Sequence, residues 1–109
     1  IFETDMGNDI DDAMALDLLL KKHEQGVINL LGVSVHKNNP CAAEFIDIMR
    51  RWYGHADIPI GVSCVTVAEC DDYTTRVCRM KDENGKPLFA RSRRPNYEEA
   101  VAMYRRLLH

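Results

Sequence analysis

An α/β fold is predicted, a Rossmann-like open parallel sheet with helices on both faces. Two observations carry the prediction. Short β-branched apolar runs alternate with helical patterns along residues 1–63, and the run Val27–Val35 shows little polar alternation. Strand, helix, strand, helix, strand in that order is the pattern of parallel strands with right-handed crossovers.

Ile1–Thr4 reads as the end of a first strand. Asp11 to about Glu24, "DDAMALDLLLKKHE", reads as a helix: Ala, Met and Leu favour it, and Asp stands at its start. Lys21, Lys22 and His23 fall in its last turn, where cations suit the helix dipole, and Gly26 stops it. Apolar residues cover most of its circumference, so Leu16, Leu19 and Leu20 are expected in the core and most of its surface is expected to be buried. Val27–Val35, "VINLLGVSV", reads as a strand covered on both faces. "HKNNP" then makes a polar turn with Pro40 placed to begin a helix over residues 41–53, which Gly54 ends. Ile58–Ser63 is a third strand.

From Cys64 to Pro95 the pattern fails, and the stretch reads as a long polar loop with "DENGKP" as a turn and "RSRRP" as a basic patch. Asn96–Leu108 resumes as a helix with Asn96 as its N-cap. That last helix has no following strand, so the whole of residues 1–109 reads as the N-terminal part of one domain, truncated at both ends.

The 109 residues are 46% apolar and 28% charged, a globular composition. A net charge of −3 argues against a nucleic-acid partner. No apolar run approaches a membrane-spanning length. A cytoplasmic setting is favoured and export stays open, because the chain begins at Ile1 without Met. Cys41, Cys64, Cys70 and Cys78 form no CxxC pair and have no His at zinc-site spacing. They read as reduced thiols, with a disulfide within 64–78 as the alternative in an exported protein. The four His share no ligand pattern.

The densest chemistry lies in "ETDMGNDIDDAMAL". Asp5, Asp9, Asp11 and Asp12 place four carboxylates within eight positions, at the carboxyl end of the first strand. That end is where open parallel sheets bind ligands. Two unit charges about 4 Å apart repel by about 4 kcal/mol at an effective dielectric near 20. Converging such groups calls for a cation or for raised pKa values, and oxygen-only donors select a hard ion, calcium or magnesium. Helix capping accounts for one or two of these Asp but not for all. An EF-hand loop starting at Asp5 fails, with Gly7, Ile10 and Leu16 where ligands, Gly and Glu belong. A phosphate-binding glycine loop is absent, since Gly7 stands alone.

This stretch resembles the N-terminal signature of the inosine–uridine-preferring nucleoside hydrolase family, DxDPGxDDA, and "LLGVSVHKNNP" is similar to that family's second strand. Asp5, Gly7 and the Asp11–Asp12 pair match the signature, and Asn39 matches the Asn after the second strand. Glu3 replaces an Asp, Met6 replaces Pro, Asn38 stands where Gly is usual, and "NDI" lengthens the motif. Asp9 and Asp11 therefore both stand for the sugar-facing residue, the Asp11–Asp12–Ala13 run favouring Asp11.

The resemblance implies hydrolysis of the N-glycosidic bond of ribonucleosides to ribose and free base by a Ca²⁺-activated water. In that scheme Asp5 and Asp12 ligate Ca²⁺, Asp5 also takes the water's proton, and Asp11 and Asn39 bind ribose hydroxyls. It also implies a nucleoside substrate, a homo-oligomer in the complete protein, and a flap after Ser63. Tyr73 or an arginine of "RSRR" would reach the base from that flap. The family's further calcium-binding Asp and leaving-group His find no counterpart after residue 60, so the segment is expected to hold an incomplete active site. The alternatives are a non-catalytic metal- or ribose-binding fragment, and a metal-dependent hydrolase of another sugar or phosphate ester.

Overall fold

The computed structural model describes residues 1–7, 9–36, 39–63, 72–91 and 97–109. The described elements run β1 (Phe2–Thr4), α1 (Ile10–Glu24), β2 (Val33–Val35), α2 (Pro40–Trp52), β3 (Ile60–Val62), α3 (Tyr73–Cys78), β4 (Glu98–Glu99) and α4 (Ala100–Leu107). The strands form one parallel sheet in the order β1-β2-β3-β4. The α/β class and the parallel pairing agree with the sequence reading.

Side chains alternate across this sheet. Phe2, Val33 and Ile60 share one level of the register, and Thr4, Val35 and Val62 share another. Val33, Val35 and Ile60 join one buried cluster with Leu16 and Leu20 of α1 and Ala42 and Ile46 of α2. Glu3, Ser34 and Gly61 lie at the level between and point the other way, toward α4. A Cβ on Gly61 would stand 2.9 Å from the Met103 side chain and 3.1 Å from the Ala100 Cα. The bare glycine is what lets α4 lie this close to β3, with Met103 fully buried.

The ends of the elements follow from local chemistry. Pro40 occupies the first turn of α2, and the Asn39 side chain caps that helix by accepting from the Cys41 amide at 3.0 Å. At the other end of α2 the buried Asp47 carboxylate is paired with Arg50 at 2.7 Å. Arg50 also donates to the Ile58 carbonyl, which ties the helix to the approach to β3.

Four expectations are corrected. The second strand is shorter than Val27–Val35: its first half is not strand, and the Leu30 amide donates to His23 Nδ1 at 3.1 Å instead of to a neighbouring strand. Residues 64–95 are not all loop, since α3 lies among them and packs on α2. The last helix begins at Ala100 rather than Asn96, because Glu98 and Glu99 pair with β3 and Glu99 caps the helix by accepting from the Ala102 amide. Asn96 lies outside the described residues.

The fourth correction concerns α1, which is not buried over most of its surface. Leu16 and Leu20 are buried and Leu19 is half-buried against the core, but Ile10, Met14 and Leu18 are each more than half exposed. Apolar residues all round a helix fit a buried one, but among the described residues α1 leaves the stripe at positions 10, 14 and 18 to solvent.

Leu16→Ala and Leu20→Ala should each cost about 2–5 kcal/mol in urea unfolding, the usual range for core leucines. Leu18→Ala, on the exposed stripe, should change stability by no more than about 0.5 kcal/mol. Equal losses at positions 16 and 18 would contradict this placement of the helix.

Candidate functional site

The carboxyl ends of β1 and β2 define the site. Thr4 is the register partner of Val35, and the His36 amide donates to the Thr4 carbonyl at 2.9 Å. The acidic turn after β1 and Asn39 after β2 therefore follow the ends of neighbouring strands.

Asp12, in the first turn of α1, folds back onto β1. Its Oδ2 accepts from the Thr4 hydroxyl at 2.5 Å and from the Asp5 amide at 3.3 Å. Asp9 is the N-cap of α1 by position, but its side chain makes no capping hydrogen bond. Capping therefore does not explain the Asp9 carboxylate. Asp5, Asp9 and Asp11 are exposed, while Asp12 is half-buried.

Asn39 is almost fully buried, and its amide is engaged on both sides. Its oxygen caps α2, and its nitrogen donates to Asp72 Oδ2 at 3.1 Å and to the Thr75 hydroxyl at 2.9 Å. Asp72 is the residue that the sequence reading missed. It is the N-cap of α3, with Oδ1 accepting from the Thr74 and Thr75 amides at 2.9 and 3.1 Å. Its other oxygen lies where a side chain on residue 7 would be: a Cβ on Gly7 would stand 2.5 Å from Asp72 Oδ2. Gly7 has φ of +120°, a conformation that side chains rarely adopt. The pattern Asp72–x–Thr74–Thr75 was a legible capping signal within the stretch taken as loop.

Tyr73, next in the chain, reaches the same turn. Its hydroxyl accepts from the Gly7 amide at 3.0 Å and donates toward the Asp9 carbonyl at 3.0 Å, with the Met6 sulfur 3.2 Å away. The expectation that Tyr73 reaches a base gives way to a different role, since its hydroxyl fastens the turn. Burial, helped by the charges of Asp12, Asp72 and Asp5, pushes this hydroxyl above its ordinary pKa, against the hydrogen bond from Gly7. The charges of three carboxylates from three segments thus act on one hydroxyl. Among the described residues, however, the turn does not bring three ligand atoms to within 4.8 Å of one another.

Two further features border the site. His36 bridges Ser63 Oγ, at 2.8 Å from its Nδ1, and the Glu3 carboxylate on its Nε2, which links the ends of β2, β3 and β1. A cavity of ≈ 200 Å³ lies beside Asn39 and is lined by Val35, Ala43, Val62, Ser63 and Tyr97 among others. Of the "RSRR" patch, Arg91 is paired with Glu44, and positions 92–94 lie outside the described residues. Comparison of the chain with protein-family models, with curated proteins and with solved structures finds no match.

Tyr73→Phe leaves the Gly7 amide and the Asp9 carbonyl without this partner, and should cost about 1–3 kcal/mol at neutral pH. The tyrosine's own contribution also depends on pH. Its pKa is raised above 10.0 in the folded chain, so its contribution is complete below the unfolded value and declines as pH rises beyond it. Urea unfolding of the wild type should therefore weaken above about pH 10, and more steeply than that of Tyr73→Phe. Identical alkaline slopes for the two proteins would contradict the clamp.

Proposed function

We propose that the turn after β1 is the sugar- and metal-binding end of an N-ribosyl hydrolase site, which cleaves ribonucleosides to ribose and free base on a Rossmann-like sheet. The observation that supports this reading is the set of contacts at the carboxyl end of β1: Asp12 is bonded to Thr4 and to the Asp5 amide, Asp72 rests against Gly7, and Tyr73 holds the Gly7 amide. The turn that holds Asp5 and Asp12 is also the one whose sequence resembles the nucleoside hydrolase signature.

The donor set fits Ca²⁺ in kind, being oxygen only. It falls short in number, because no three of the turn's described ligand atoms lie close enough together. Asp5 and Asp12 would hold the ion, with its remaining ligands from beyond this group. When bound, the ion lowers the pKa of a coordinated water and so supplies a nucleophile at neutral pH.

The chain's own residues would do the rest. Asp5, exposed at the strand end, would accept the water's proton as general base. Asp12 has one oxygen held by Thr4 and the Asp5 amide, which fixes the direction of the other. Asp11, or Asp9 with its uncapped carboxylate, would accept from ribose hydroxyls. Their summed negative charge would favour the oxocarbenium-like sugar of the transition state. Asn39 would bind ribose by exchanging its bond to Asp72 for one to a sugar hydroxyl.

A second reading is favoured by that same engagement of Asn39: binding of a cation or ribose without hydrolysis. The experiment is ribose release from inosine and uridine in calcium, by the longest reading frame that carries this segment. Hydrolysis should occur, and Asp5→Asn should lower kcat by about 10²–10⁴ through loss of the base, with saturating calcium failing to restore it. Calcium binding with no ribose release would favour the second reading. Equal turnover with Asn at position 5 would remove the acidic turn from the chemistry.

A further inference from the structure

Away from the acidic turn, one cluster combines two thiols with a carboxylate. Cys41 is the second residue of α2, and Glu44 lies three residues on, on the same helix face. Cys78 is the last residue of α3. One ligand atom from each of the three lies within 4.8 Å of the other two. Both cysteines are buried and neither is in a disulfide, so the alternative of a disulfide through Cys78 is not adopted. The Cys78 thiol lies 3.5 Å from the Cys41 carbonyl. Glu44 is one-third exposed, which opens the cluster to solvent on that side.

We propose that Cys41, Glu44 and Cys78 form a binding site for a thiophilic divalent ion of the zinc class, which clips α3 onto α2.

Two arguments support this. The first is geometric: Zn–S bonds of about 2.3 Å in a tetrahedron put ligand atoms about 3.8 Å apart. Each pair therefore has to close by about 1 Å at most. The second is charge. Arg91 Nη1 is paired with Glu44 Oε1, so the metal-free cluster of two thiols, one carboxylate and one guanidinium is neutral. On binding, two S–H protons leave for solvent as two metal–sulfur bonds form. Two thiolates then balance the ion's two positive charges, and the cluster is neutral again. A buried site that stays neutral avoids the cost of an uncompensated charge.

The site stands apart from the nucleoside reading. It would nevertheless stiffen the candidate site, because the Cys41 amide is the group that Asn39 caps, and α3 carries Asp72 at its start.

The test is titration of the reduced protein with Co²⁺, a spectroscopic stand-in for zinc. One ion per chain should bind with thiolate-to-cobalt charge-transfer absorption and the strong visible bands of a tetrahedral site, and Zn²⁺ should abolish both. Cys78→Ser should weaken the charge-transfer band by roughly half and lower affinity by about tenfold or more. Should that variant fail to fold, Glu44→Gln decides, since Glu44 is partly exposed. It should keep the charge-transfer band and the circular dichroism of the parent while affinity drops by about tenfold or more. The Cys64→Ser, Cys70→Ser double variant should bind as the parent does. No charge-transfer band, an affinity unchanged in Glu44→Gln, a band unchanged in a folded Cys78→Ser, or a band lost with Cys64 and Cys70 would overturn the proposal.

Discussion

The Asp72 carboxylate accepts from the first-turn amides of its own helix and from the Asn39 amide, and it rests against the bare Cα of Gly7. Three separate segments meet at that one group: the turn after β1, the start of α2 and the start of α3. Any side chain at position 7 would collide with it and would also be strained at that φ. The constraint explains why Gly stands in the middle of an otherwise acidic turn.

The carboxylates around this turn are held by hydrogen bonds from fixed donors. Thr4 and the Asp5 amide hold Asp12, the α3 amides hold Asp72, and Tyr73 fastens the backbone between them. A turn built this way is held by its own donors and not by the cation that the proposed function would place there. Beneath it, the close approach of α4 to Gly61 and the packing of α1 and α2 on the other sheet face supply a stiff support.

Local signals account for the strand and helix order through residue 63. Pro40, the run at α1 and the β-branched triplets each act within a few residues. The acidic turn was legible for the same reason, because its four Asp are close in sequence. The capping pattern of Asp72 is local too, but its contact with Gly7, and those of Tyr73 with Gly7 and Asp9, span more than sixty residues and were not legible. The Cys41–Cys78 proximity was hidden likewise, by a separation of 37 positions. The exposed stripe of α1 misled in the opposite direction. Ile10, Met14 and Leu18 look like core by composition, and only the layer geometry places them outside.

The central claim is that the turn after β1 is a built cation site held in place from α3. Calcium titration followed by amide resonances of the isotope-labelled chain tests it most directly. The account predicts saturable shifts at Asp5, Gly7, Asp9 and Asp12, together with the Asn39 side-chain amide and Asp72, and their loss in Asp12→Asn. Shifts confined to other acidic residues, or none at millimolar calcium, would contradict it.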